Sequence, residues 1–201
     1  MSSQMDRVYD LIWGTPITAI EIDPTPIDEW FKNVPILTLC TEEFTYSHCK
    51  TSRGTKENDE VDYTTILDIV NEEFGKFLDF LGPKCGIDSN FEVPWINIYG
   101  KNGFQDSHDH QGDKYSDFSY CYVHESGDSH IVFKNRFATN SDMCLKDLLH
   151  AYYAQDYVPT LKKKGTLYIF PSTAYHSVSP NKSDEPRITI SGNIKLTPED
   201  K

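Results

Sequence analysis

Beyond residue 94 the chain is built from short runs of β-branched and aromatic residues. They are Trp95-Ile-Asn-Ile-Tyr99, Phe118-Ser-Tyr-Cys-Tyr-Val123, His130-Ile-Val-Phe133, Gly165-Thr-Leu-Tyr-Ile-Phe170 and Arg187-Ile-Thr-Ile-Ser191, each separated from the next by turn-formers. Segments of this kind bury their side chains by pairing, so the second half of the chain reads as antiparallel sheet. One helix precedes it, from about Thr65 to Leu81. Ile66, Ile69, Val70, Phe74, Phe77, Leu78 and Leu81 fall there at three- and four-residue steps, and Gly82-Pro83 ends the run. Val8 to Ile22 reads as short strands broken by Gly14-Thr-Pro16 and stopped by Asp23-Pro-Thr-Pro26, with a helical turn at Ile27 to Phe31. Thr41 to Val61 shows no periodicity and reads as a polar loop, and Ser141 to Tyr153 as a short helix. The connection from Ala138 to Thr160 has the length of a lid or substrate-binding element. The expected fold is mainly β (α+β), a jelly-roll-like β-sandwich with supporting helices. It forms one domain over residues 1–201, with N-terminal strands and helix to residue 90 and the β core over 91–196.

Charge narrows the partners. Lys and Arg number 19 against 31 Asp and Glu, a net −12, and a surface of that sign repels phosphate backbones and anionic lipid headgroups. No nucleic acid or membrane partner is expected. No apolar run is long enough to cross a bilayer, and Met1 to Asp6 lacks the basic start of a signal peptide, so a soluble cytoplasmic protein is expected. Cys40, Cys49, Cys85, Cys121 and Cys144 form no C-x-x-C pair and read as reduced thiols. Cys40, His48 and Cys49 lack the fourth ligand of a zinc site.

The chemistry gathers around histidine. In Asp106-Ser-His108-Asp-His110 an extended chain turns His108 and His110 to one side and Asp109 to the other, a spacing that can chelate. A third histidine, His176, follows directly on a well-formed strand. A hairpin from there brings Arg187 close to it. An arginine opening an apolar strand is costly to bury alone, so either a local carboxylate such as Glu185 or an anionic ligand must satisfy it. His124 and His130 flank a hairpin turn, Glu125-Ser-Gly-Asp128, and read as solvent-facing. His150 and the Lys162-Lys-Lys164 run need no function.

The order His-x-(acid) on one strand, a distal His on a later one and an Arg about ten residues beyond, which the chain resembles, is that of the iron(II)- and 2-oxoglutarate-dependent oxygenases. Tyr99-Gly100 ahead of His108, Pro171-Ser172, His176-x-Val178, Pro180-Asn181, Ser191 and Asn193 are similar to members that carry His-x-His, as is the opening Trp13-Gly-Thr-Pro16. The resemblance implies a double-stranded β-helix that holds iron(II) and takes 2-oxoglutarate as cosubstrate, and that hydroxylates an unactivated C–H bond. A prolyl substrate, free or peptidyl, is implied by analogy. His108, His110 and His176 would be the metal ligands, with His110 standing where the family places a carboxylate. Asp109 could reach the metal only through a bulge, and Asp106 has the right parity but lies early. Arg187 would hold the distal carboxylate of 2-oxoglutarate, with Thr189 on the same side of the strand and with Tyr99 and Tyr122 as phenol donors. Two alternatives remain open. One is a cupin-type three-histidine dioxygenase or isomerase without 2-oxoglutarate, favoured if Arg187 pairs with a protein carboxylate. The other is a non-catalytic interaction module.

Overall fold

The computed structural model describes residues 6–12, 14–43, 48–83, 86–111, 116–136 and 156–199. The short helix expected at Ser141 to Tyr153, Cys85, Cys144, His150 and most of the Ala138 to Thr160 connection lie outside them. The elements are β1 (Arg7–Ile12), β2 (Thr15–Glu21), α1 (Thr25–Phe31), α2 (Ile36–Leu39), β3 (Glu42–Glu43), β4 (Lys50–Thr51), α3 (Thr64–Leu81), β5 (Ile87–Phe91) and β6 (Trp95–Tyr99). After these come β7 (Gln105–His108), β8 (Phe118–Ser126), β9 (Ile131–Phe133), β10 (Thr166–Pro171), β11 (His176–Val178) and β12 (Arg187–Pro198). No helix among the described residues is long and apolar enough to cross a membrane.

Two antiparallel sheets result. The larger runs β1-β2-β10-β8-β12-β6-β4-β3, with β5 also paired to β12, and the smaller runs β7-β11-β9. This is the expected double-stranded β-helix, and strand alternation decides what each face of the large sheet does. Ile20, Leu167, Ile169, Ile96, Ile188, Ile190 and Ile194 turn to one side and pack with Ile66, Val70, Phe74 and Phe77 of α3. Ile17, Ala19, Val123, Tyr168 and Phe170 turn to the other side, where Ile131 and Phe133 of the small sheet meet them. α3 stops where its sequence said, with Gly82 in the left-handed conformation (φ 64°) that spares a Cβ clash.

Several expectations need correction. Within the 41–61 segment, residues 48–61 are ordered: β4 pairs with β6, and a short 3₁₀ turn spans Glu57–Glu60. A buried polar knot replaces hydrophobic periodicity there. Ser52 and Tyr63 donate their hydroxyls to Asn58 Oδ1 (2.6 and 2.7 Å), and Asn58 Nδ2 donates to the Pro94 carbonyl (2.8 Å). Ser52 Oγ in turn accepts the Ile96 amide (2.9 Å). Truncating the hub leaves two hydroxyls and a carbonyl unsatisfied, so Asn58→Ala is expected to cost about 2–3 kcal/mol, read as a lowered denaturation midpoint. His176 and Arg187 belong to different sheets, so the segment between them crosses from one sheet to the other and forms no hairpin. The Glu125 to Asp128 turn likewise links β8 to the other sheet. His124 is buried, stacked on Phe31 (3.8 Å) beside Asp28 (3.4 Å), so it does not face solvent.

Candidate metal centre and cosubstrate cavity

His108 ends β7, His176 opens β11, and the two are register partners in the small sheet. His110 lies two residues beyond β7, held by its own amide bonding to the Ser172 carbonyl (2.9 Å). One ring nitrogen from each of the three lies within 4.8 Å of the others, the sole such histidine, cysteine or carboxylate cluster among the described residues. Their protonation suits ligation. A carbonyl oxygen only accepts, so the 2.8 Å contacts of His108 Nδ1 with Asp106 O and of His176 Nδ1 with Ala174 O fix both Nδ1 atoms as donors. That leaves Nε2 of each ring as the lone-pair face. Burial and the neighbouring imidazoles hold His176 well below the ordinary histidine range, in the neutral form a metal requires.

The two aspartates that competed for the third position are placed as well. Asp109 turns away to Arg136 (2.8 Å), and the irregularity in the β7–β11 pairing does not bring it into the cluster. Asp106 lines the same cavity but is not part of the cluster. The zinc alternative finds no support, since Cys40, His48 and Cys49 form no metal-holding cluster among the described residues.

The cluster opens into a cavity of about 680 Å³ between the sheets, walled by β6, β8 and β12 on one side and by β7, β9 and β11 on the other. Arg187 lines it with no exposure to solvent. Its Nη1 donates to the Ser129 carbonyl (3.1 Å), while Nε and Nη2 are buried without a protein partner. No carboxylate pairs with it among the described residues. Glu185, the local candidate, gives only its backbone carbonyl, and that goes to Asn181 (2.8 Å). Tyr99, register partner of Arg187, is buried in the same wall, and its hydroxyl donates to Gln105 (2.9 Å). Thr189 is buried on the Arg187 side of β12.

Tyr122 is placed elsewhere. It is buried on the opposite face of β8 with Leu167 and Ile190, in the core under the helices, and does not line the cavity. Asn97 takes a place the sequence did not signal. It lies between Trp95 and Tyr99 on the inner face of β6, opposite Thr189, and lines the cavity with a buried Oδ1 that has no protein partner. Its only sequence signal was a polar residue at an alternation position inside an apolar strand.

A family model described as "Putative 2OG-Fe(II) oxygenase" matches residues 94–193, which hold all three histidines and Arg187. None of the curated proteins matches the chain. Among solved structures it is similar to the alpha ketoglutarate-dependent epimerase SnoN of nogalamycin biosynthesis, with TM-score 0.61 and 10% identity over 92% of this chain and 79% of that one. It is similar also to the viral collagen prolyl hydroxylase of Paramecium Bursaria Chlorella virus-1, solved with 2OG (0.54, 14%, 92% and 98%). A prolyl hydroxylase from Trichoplax adhaerens, solved with a hypoxia inducible factor peptide, gives 0.58 and 12% over 88% and 81%. At these identities the likeness is one of fold.

Proposed function

Because this chain belongs to the 2OG-Fe(II) oxygenases, we propose that it oxidises a C–H bond of a small-molecule or peptide substrate. His108, His110 and His176 hold the iron(II), and Arg187, Thr189 and Tyr99 hold 2-oxoglutarate. Prolyl hydroxylation is one version of this reading, supported by the likeness to two prolyl hydroxylases. The observation that carries the proposal is the buried Arg187 guanidinium, with two nitrogens unpartnered on the wall of the cavity that holds the histidine cluster. Its planar fork fits a carboxylate at two points, and a buried charge without a partner costs several kcal/mol unless a ligand supplies one. The cupin alternative called for a protein carboxylate on Arg187, and none is there among the described residues.

Iron(II) and 2-oxoglutarate, when bound, supply the oxidant: the cosubstrate is decarboxylated to succinate as dioxygen is reduced. The residues of the chain do the rest. Three imidazoles, one of them (His176) held neutral by burial, would hold the ion and leave it further positions for ligands. Arg187 fixes one end of the dicarboxylate and so sets the direction of the other. Phe170, edge-on to His176 (4.9 Å), together with Ile131 and Val178, lines the cavity with apolar surface that keeps water from the reacting centre. Oxygen uptake by the iron-loaded protein, followed with succinate release, tests the proposal. The expected result is uptake that requires both iron(II) and 2-oxoglutarate, with one succinate formed per dioxygen. Uptake indifferent to 2-oxoglutarate contradicts it.

A further inference from the structure

Two sites that the sequence marks and the oxygenase reading leaves without a role, Pro171-Ser172 and Asn193, meet behind the histidine cluster. Directly after β10 the chain makes a tight turn, closed by the Ala174 amide donating to the Pro171 carbonyl (2.8 Å). Two carbonyls of that turn are spent on the candidate ligands. Ser172 O accepts the His110 amide (2.9 Å), and Ala174 O accepts the His176 Nδ1–H (2.8 Å). His110 belongs to no strand, so no ladder fixes its backbone, and the Ser172 carbonyl supplies that hold. Where the turn lies therefore sets where two of the three imidazoles lie.

The turn is itself anchored through Ser172, at three points. Its amide donates to the Asp117 carbonyl (3.0 Å), its carbonyl holds His110, and its hydroxyl lies between those of Ser116 and Ser119. Each hydroxyl bond has one direction. The Glu92 carboxylate takes an Asn193 Nδ2–H (2.7 Å), which leaves Asn193 Oδ1 to accept the Ser119 hydroxyl (2.9 Å). A serine has a single proton to give. With the Ser119 proton spent on Asn193, Ser172 donates to Ser119 (2.9 Å) and Ser116 donates to Ser172. A chain of donors thus runs from Ser116 through Ser172, Ser119 and Asn193 to Glu92, tying the turn to β8 and β12, and its three middle members are buried. Bonds in such a chain polarise one another, and deleting one hydroxyl leaves its neighbours unsatisfied. Apolar packing would fill the same volume. What directed hydrogen bonds add is a fixed geometry for the Ser172 peptide.

We infer that Ser172 is a positioning residue of the metal centre, its hydroxyl, held by Ser116 and Ser119, fixing the turn whose carbonyls set His110 and His176. This rests on the three-histidine reading above and adds what holds two of those ligands in place. Cobalt(II) is the probe, because its visible absorption bands report ligand geometry as well as occupancy. Ser172→Ala keeps the carbonyl that holds His110 and removes only the hydroxyl. It is expected to bind cobalt(II) about tenfold more weakly than the wild type, in the range for partners that stand behind a metal ligand, and with shifted bands. Ser119→Ala, which breaks the chain one link further on, is expected to move both readouts the same way by less, and it carries the test should Ser172→Ala fail to fold. Wild-type cobalt affinity and bands in folded Ser172→Ala, whatever its unfolding midpoint, overturn the inference, because the hydroxyl then serves only the fold. The same result in Ser119→Ala, where that is the variant that folds, overturns it too. His110→Ala separates the two levels. Cobalt binding there as tight as in the wild type removes the three-histidine reading and the inference with it, whereas loss of cobalt there beside wild-type binding in Ser172→Ala removes only the role of Ser172.

Discussion

His176→Ala is expected to lose its metal. The wild type is expected to bind one divalent transition ion per chain, and removing one of three imidazoles to weaken that binding by two orders of magnitude or more. Even outer partners of a metal ligand are worth roughly 10–100-fold. His110→Ala is expected to behave the same way, because its ring nitrogen sits within 4.8 Å of the other two. Asp109→Asn is expected to keep its metal, since the Asp109 carboxylate is turned to Arg136. Metal content by elemental analysis after desalting reads all three. Loss of metal from Asp109→Asn with retention by His110→Ala would mean that a carboxylate takes the third position.

Arg187→Leu is expected to weaken 2-oxoglutarate binding by about 2–5 kcal/mol, the range for truncating one side of a buried charge pair, and so by more than tenfold in affinity. Folding damage does not explain such a loss. Among the described residues Arg187 is a buried charge that makes one hydrogen bond and leaves two nitrogens unsatisfied. An uncompensated buried charge is itself destabilising, so its replacement by an apolar side chain removes a cost of the fold. The variant is therefore expected to unfold at a midpoint no lower than the wild type while binding its cosubstrate poorly. Arg187→Lys, which keeps the charge and loses the fork, is expected to recover part of the affinity.

What the sequence disclosed follows from which interactions are local. The i, i+2 spacing of His108 and His110, a lone histidine at a strand start and an arginine opening an apolar strand are short-range signals, and these residues converge on one cavity. The helix Thr64–Leu81 was legible for the same reason, since its periodicity and its glycine stop are contained in the segment. Tyr122 was misplaced because adjacency of strands does not fix which face a residue takes. One step along β8 separates the cavity-lining Cys121 from Tyr122 in the helix-side core. The order of residues 48–61 was hidden because it depends on Asn58 reaching the Pro94 carbonyl and the Tyr63 hydroxyl, contacts that leave no periodic trace. β5 carries only a weak alternation, Ile-Asp-Ser-Asn-Phe, and forms as an edge because β12 is long enough to pair with it after leaving β6. The crossing of the chain between His176 and Arg187 is a property of the whole fold, and a segment of that length is equally compatible with a hairpin.

The central claim is that one cavity holds a metal on three histidines and a 2-oxo dicarboxylate on Arg187. Anaerobic calorimetric titration of 2-oxoglutarate into the manganese-loaded protein, repeated on the metal-free protein, tests it most directly. One molecule of 2-oxoglutarate is predicted to bind per metal-loaded chain, at least tenfold more weakly when the metal is removed, because the metal and Arg187 hold opposite ends of the same ligand. Absence of binding to the manganese form at millimolar concentration, or binding that is the same with and without metal, contradicts the account.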